Sequence, residues 1–251
     1  MRSPVFSIIT VTFNAAHVLE KTILSVINQT YPPIEFIIID GGSKDRTVSI
    51  IRQYESGIKY WISESDKGIY DAMNKGLQAA TGDYVWFLNA GDVFQHHNVL
   101  MELAAIAEQN GLPDILYGET DLLNNEGIVF AKRRLKAPRR LTWKSFRMGM
   151  LVCHQAFIVK RSISPEYDLQ YRFSADFDWC IKCMLLATKI TNSNIRLVNY
   201  LYQGTTTANR KESLKERYAI MCKYYGTIAT VIMHLWFAIR FHWAKWTRGT
   251  V

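Results

Sequence analysis

At 251 residues, with 49% hydrophobic and 21% charged side chains, the chain is long enough for one large domain or two small ones, and its balance excludes a disordered polymer. Its 4 cysteines (Cys153, Cys180, Cys183, Cys222) are too few for a disulfide scaffold and no basic-then-apolar leader opens the sequence, so a reducing, cytoplasmic setting is expected. Lys and Arg number 30 against 22 Asp and Glu, a net charge of +8 that favours anionic partners: nucleotides, phospholipid head groups or nucleic acid.

Residues 5–12 are a continuous β-branched and apolar run, suited to a strand buried on both faces. Asn14 stands where a cap is expected, because Val18, Leu19, Ile23, Val26 and Ile27 recur at helical spacing until Pro32 and Pro33 stop the helix. A second buried strand over 35–40 ends in Asp40-Gly41-Gly42-Ser43. A helix over 47–54, a short strand over 59–63, a helix over 71–80 and a strand over 83–88 follow. A helix over 99–109 and a strand near 115–117 extend the domain. The basic stretch 132–147, which contains no acid, reads as an irregular crossing broken by Pro138. A strand over 155–160 and helices over 177–187 and 212–225 complete the pattern. Strands alternating with helices predict an α/β fold with a parallel sheet, whose ligands gather at the carboxyl ends of the strands. Thr12 and Asn14, Asp40, and Asn89 to Asp92 fall there. No repeat or linker divides the chain, so one domain over 1–226 with an appendage over 227–251 is expected.

Three clusters can carry chemistry. Phe87-Leu88-Asn89-Ala90-Gly91-Asp92 delivers an acid and an amide oxygen to a strand end, which suits a hard cation such as Mg²⁺; Asp92 as a helix cap is the alternative. Asp40-Gly41-Gly42-Ser43-Lys44-Asp45 lets backbone approach a ligand, with Asp40 able to accept hydrogen bonds from a base or ribose, though Asp-Gly is also an ordinary turn. It is neither a P-loop nor a dinucleotide fingerprint. Residues 67–76 open a helix near Asp71, whose free N–H groups can face the same crevice or whose acid can cap its own helix.

Taken in order, the runs 7–14, 38–45, 74–76 and 82–92 strongly resemble family 2 glycosyltransferases, closely over the first hundred residues and more loosely to about 210. The segment 66–76 resembles that of bacterial surface-polysaccharide enzymes of the colanic acid type. The resemblance implies a GT-A fold, a Rossmann-like mostly parallel sheet flanked by helices, with a nucleotide-sugar donor, a divalent metal (Mg²⁺ or Mn²⁺) and inversion at the anomeric carbon. It assigns Thr10, Thr12, Asn14 and Asn74 to the donor site, Asp40 to the base or ribose, Asp66 to the neighbourhood of the base and Asp92 to the metal. Asn89 stands where the family has a further carboxylate, and Met73 where many relatives have arginine, so Lys67 or Lys75 would have to meet the phosphates. The general base falls at Asp176, with Asp178 as the fallback. His154 and Gln155 would orient a saccharide or lipid-linked acceptor or approach the diphosphate, and Gly204-Thr205-Thr206-Thr207 falls near a family acceptor loop. Cys180 and Cys183 sit at helix spacing without a second pair, which disfavours zinc or redox chemistry.

In the tail, Ile232, Trp236, Ile239, Trp243 and Trp246 fall on one helical face and His234, His242, Lys245 and Arg248 on the other. The run is too short to span a bilayer. It fits an amphipathic helix at the cytoplasmic membrane surface, a helix docked on the domain, or a dimer contact. Two rival functions remain. A sugar-1-phosphate nucleotidyltransferase would need a Gly-rich segment with Arg and Lys after the first strand, which Thr12-Phe13-Asn14-Ala15 does not provide. A nucleotide-sugar-binding or scaffolding subunit is motivated by Asn89 and Met73. Nucleic acid is disfavoured, since 132–147 lacks a recognition motif and an acceptor carrying phosphate accounts for its charge.

Overall fold

The computed structural model of the chain describes residues 3–124, 126–202 and 210–248, with the backbone alone at 210, 238 and 240–248. Strand β1 (Phe6–Thr12) is buried along its whole length, between β2 (Ile34–Asp40) and β4 (Tyr84–Phe87), both parallel to it, and β3 (Tyr60–Ser63) extends that side. Alternate side chains point to opposite faces. Phe6, Ile8, Phe36, Ile38 and Trp86 pack under α1 (Leu19–Ile27), α2 (Thr47–Gln53) and α4 (Val99–Gln109). Ile9, Val11, Ile37, Ile39 and Phe87 pack under α3 (Ile69–Ala79) and α5 (Ala175–Leu186). This two-sided covering is why both strands read as unbroken apolar runs.

The sheet continues from β4 through β8 (Phe157–Lys160) and β6 (Ile115–Leu123) to β9 (Ile190–Leu201) and β5 (Val93–Phe94), with β7 (Val129–Lys132) as a hairpin partner of β6. Strands β1, β2, β3, β4, β6 and β9 run one way; β5, β7 and β8 run the other. The expected mostly parallel α/β architecture is therefore present, with antiparallel insertions in its second half. Strand β9 is absent from the sequence reading because Thr191, Asn192, Ser193, Asn194 and Asn199 interrupt any apolar pattern, and Asn194 takes a positive φ of 58°.

Asn14 does not cap α1. It takes a positive φ of 49°, and the helix starts at Leu19 without a side-chain cap. The 132–147 crossing is irregular until a 3-10 turn at Trp143–Met148, closed by a capping box between Thr142 and Ser145. Helix α6 (Arg210–Tyr225) and helix α7 (Thr227–Arg248) meet at Gly226, with φ of 82°. The first half of α7 docks: Thr230 is buried, and Met233 and Phe237 pack on the core. His234 is not on a solvent-facing polar side; it lies between Tyr218 and Phe237 and bonds the Thr230 carbonyl. Ile228, Ile232, Leu235, Trp236 and Ile239 remain exposed. The side chains of His242, Trp243, Lys245, Trp246 and Arg248 lie outside the described residues. No described helix is long and apolar enough to cross a membrane.

Candidate functional site

The carboxyl ends of β1, β2 and β4 bring the first two motifs together. Asp40 is fully buried, and its carboxylate accepts bonds from Gly42 N (3.1 Å), Ser43 N (2.9 Å), Ser43 Oγ (2.5 Å) and Ser63 Oγ (2.6 Å). Three of these bonds fall on Oδ2 and one on Oδ1, so Asp40 shapes the loop while Oδ1 keeps room for a further donor. Asn14 ties that loop to β1: its Oδ1 accepts from Lys44 N at 2.8 Å and its N–H donates to Ser43 Oγ at 2.7 Å. The open acid is Asp66. Its Oδ1 takes the Gly68 N–H at 2.8 Å, and its Oδ2 lies 2.4 Å from where a Cβ on Gly41 would stand. The same empty Cβ position is 3.4 Å from the ring of Phe13, which is 61% exposed. An exposed aromatic face beside a carboxylate oxygen offers stacking and an acceptor to a flat heterocycle. The sequence reading missed Phe13; the signal available was a large aromatic placed among polar residues at a strand end.

Other assignments change. Thr10 is buried and donates to the Leu88 carbonyl at 2.7 Å, inside the sheet. Asn74 is clamped on the Tyr167 backbone, donating at 3.0 Å and accepting at 2.7 Å, so it joins elements and is not available to a donor. Lys75 is paired with the half-exposed Glu64 at 2.7 Å, which raises its pKa. Lys67 stays exposed, and Asp71 ties down the start of α3 by accepting the Lys67 N–H at 3.0 Å. Thr12 Oγ1 is buried without a partner.

Asp92 is 3% exposed and does not cap α4, which begins at Val99. Its Oδ1 accepts from Leu201 N at 3.0 Å and its Oδ2 from Gln155 Nε2 at 3.1 Å. Gly91, at φ 98°, turns the chain under Leu201, whose Cδ2 would lie 2.8 Å from a Cβ there. Burial pushes the Asp92 carboxyl up to about 7, against the bonds from Leu201 and Gln155. Asn89 Oδ1, on the same turn, is buried with no partner. A buried acid short of countercharge beside an orphaned amide oxygen is a hard-oxygen donor set, which fits a divalent cation. Among the described residues no group of three His, Cys, Asp or Glu gathers that could hold one alone. Gln155 thus belongs with Asp92. His154 is buried against Phe87, Tyr167 and Trp179 and bonds Tyr167 Oη at 2.6 Å; burial lowers its pKa to about 4. It is a neutral core residue and cannot orient an acceptor.

The two acids at the start of α5 separate. Asp178 is fully buried, ion-paired with Lys182 at 2.7 Å and Lys223 at 3.1 Å, and accepts from Tyr224 Oη at 2.9 Å. It fastens α6 to α5 and is excluded as a base. Asp176 is half-buried; its Oδ1 accepts from Tyr70 Oη at 3.2 Å and from Phe177 N at 2.8 Å. A chain of contacts joins the two acids: Asp176 to Tyr70, Tyr70 to Tyr167, Tyr167 to His154, and Gln155, the next residue, to Asp92.

Residues 7–166 match the family model described as glycosyl transferase family 2. The chain belongs to that family. An uncharacterized glycosyltransferase of Mycobacterium tuberculosis is 33% identical over 215 residues, 84% of this chain and 79% of that one. A PGL/p-HBAD biosynthesis glycosyltransferase of Mycobacterium bovis is 32% identical over 228 residues, 86% of this chain and 84% of its own. The Escherichia coli UDP-Glc:alpha-D-GlcNAc-diphosphoundecaprenol beta-1,3-glucosyltransferase WfgD is 24% identical, over 86% of this chain and 84% of its own. Staphylococcus aureus TarS 1–349, solved with UDP-GlcNAc, superposes at a TM-score of 0.68 with 17% identity, covering 91% of this chain and 70% of that one. The chain spans 42% of the longer TarS chain. That likeness establishes a shared fold of the GT-A type.

In this family 2 glycosyltransferase, Thr12 and Phe13 end β1 with Asp66 close by, Asn89 and Asp92 follow β4 with Gln155 on Asp92, and Asp176 of α5 meets Tyr70 of α3. Membership sets the nucleotidyltransferase reading aside. Residues 204–207 lie outside the described residues. Cys180 and Cys183 are buried in the core, where burial holds both thiols protonated.

Proposed function

We propose that this glycosyltransferase inverts: it moves a sugar from a nucleotide-sugar donor to a saccharide or lipid-linked acceptor in bacterial surface polysaccharide assembly. The observation that carries the reading is that Tyr70, at the start of α3 just after Asp66 and Gly68, donates to Asp176. Asp176 takes the proton of the acceptor hydroxyl as its oxygen bonds the anomeric carbon; the bond to the diphosphate breaks and its electrons leave with the nucleoside diphosphate. Such a transition state has oxocarbenium character, so positioning matters more than covalent chemistry. Mg²⁺ or Mn²⁺ held by Asp92 and Asn89 Oδ1 would supply charge neutralisation to the leaving group. Phe13 and Asp66 would seat the base. UDP-GlcNAc bound to TarS and the diphosphoundecaprenol acceptor named for WfgD support these substrate classes.

The exposed row on α7 and the exposed basic residues of 132–147 support attachment to the cytoplasmic membrane face. Deleting 228–251 is expected to release the protein from anionic vesicles in a flotation assay; unchanged flotation refutes it. The decisive experiment is calorimetry with UDP, GDP, CDP and dTDP, each with Mn²⁺ and again with EDTA, on wild type and Asp176→Asn. One diphosphate should bind in a metal-dependent way to both proteins, with transfer lost in the variant. Binding lost in the variant moves Asp176 to the donor site, and binding to none overturns the reading. Binding without turnover in the wild type would favour the alternative of a donor-binding subunit, for which Asn89 in place of a carboxylate is the supporting observation.

A further inference from the structure

Two arginines lie over aromatic rings around the start of α5 and the turn Trp143–Met148. Arg147, in the turn Trp143–Met148, lies over the Tyr225 ring at 5.3 Å, and Arg217 of α6 lies over the Phe177 ring at 5.9 Å. In both, Nε is buried with no hydrogen-bond partner. Arg133, by contrast, spends its guanidinium on the carbonyls of Leu135, Met150 and Leu151. A buried donor left unmade costs ~1–3 kcal/mol, more when charged, and folded proteins rarely tolerate it without a reason.

The pair hangs from one aromatic array. Phe146, which precedes Arg147, stacks on Phe177 at 5.5 Å, and Trp143 stacks on Tyr225 at 5.6 Å. Phe177 follows Asp176 in the chain, and the charge of Arg217 reaches Tyr70, which donates to Asp176. The acids nearby are already engaged: Glu216 accepts the Arg172 and Phe173 N–H groups at 2.8 Å each, and Asp178 holds Lys182 and Lys223. Arg139, Arg140 and Lys144 are exposed on the same segment and form no ion pair among the described residues. On its outer side the Trp143–Met148 turn packs against α7, the helix with the exposed Ile228, Ile232, Leu235, Trp236 and Ile239. The turn that carries Arg147 thus touches both α5, which bears Asp176, and α7, which bears the apolar face. A lipid-linked saccharide presents matching parts: hydroxyl, phosphate and hydrocarbon.

We propose that Arg147 and Arg217 form the phosphate-binding part of the acceptor subsite, gripping the diphosphate of a polyprenyl-linked saccharide and setting its hydroxyl against Asp176. The inference rests on the glycosyltransferase reading above. Guanidinium forks match phosphate oxygens in pairs, which a lysine cannot reproduce.

The test titrates farnesyl diphosphate into the full chain by calorimetry, with Mn²⁺ and whichever nucleoside diphosphate binds held saturating. Wild type should bind it; Arg147→Gln and Arg217→Gln should each weaken binding about tenfold or more, the scale of one lost charged fork, with Arg217→Lys recovering little. Nucleotide affinity and the melting temperature, measured on the same variants, should not change. No binding in wild type, or undiminished binding in both Arg147→Gln and Arg217→Gln, overturns the proposal. So does a loss confined to phosphatidylglycerol vesicles, which would assign the arginines to membrane head groups. Failure here with nucleotide binding intact leaves the glycosyltransferase reading standing, whereas absent nucleotide binding removes it.

Discussion

Gly41 and Asp66 compete for one volume, since a Cβ on Gly41 would lie 2.4 Å from the Asp66 carboxylate oxygen. The glycine is there to let an acid from another loop lean across the end of β2. Gly41→Ala should displace Asp66 and weaken nucleoside diphosphate binding about tenfold, ~1.4 kcal/mol, with little change in melting temperature; calorimetry checks both. Undiminished affinity would remove Asp66 from the base site. Tyr70 acts on the other side of the crevice. Its ring stacks on Tyr167 at 5.5 Å while its hydroxyl donates to Asp176 at 3.2 Å. Tyr70→Phe keeps the stack and loses the donor, so kcat should fall roughly tenfold with the donor KM unchanged, in line with one hydrogen bond to a charged group. A change confined to the donor KM would assign Tyr70 to nucleotide binding.

At the scale of elements, α5 sorts its two acids by angle. Residues two apart are ~200° apart around a helix, so Asp176 and Asp178 cannot face one site. Asp178 points inward and joins α5 to α6 through Lys182, Lys223 and Tyr224. Asp178→Ala frees two partly exposed lysines and leaves Tyr224 Oη without its acceptor, and should cost ~1–3 kcal/mol in urea unfolding, while folded enzyme retains turnover. Complete loss of turnover in folded protein would restore Asp178 as a base. The parallel half of the fold was legible because β1 and β2, covered on both faces, must be apolar throughout. Strand β9 was not, because its polar residues are answered by partners on β6 and β5 that no local pattern reveals. The site divides in the same way. Glycines and acids at strand ends and helix starts draw attention to Asp66, Asp92 and Asp176 in the sequence. Which polar groups are spent inside the protein depends on distant partners: Ser63 on Asp40, Tyr167 on Asn74, Lys223 on Asp178. Those separations hid the reassignments.

Across the whole molecule, His154 couples the core to pH. Burial lowers its pKa from 6.5 to about 4, against the opposing pull of the Asp176 charge. Between those two values the unfolded chain binds a proton that the folded chain refuses. Stability is therefore whole above pH 6.5 and falls as the pH drops toward 4, by up to ~3 kcal/mol. The unfolding free energy of wild type minus that of His154→Phe should be level above neutrality and decline through this window; a level difference throughout would refute the buried neutral state. The bond from Leu201 N to Asp92, at 3.0 Å, joins residues far apart in the chain and has a consequence in time. Synthesis proceeds from the amino end, and a nascent chain that has completed β1 to β4 has the nucleotide-side loops but no partner for Asp92. That partner arrives only with the last residue of β9. A polypeptide that stops short of Leu201 therefore leaves Asp92 Oδ1 without its backbone donor, and that acid is seated only when the last strand of the sheet is in place.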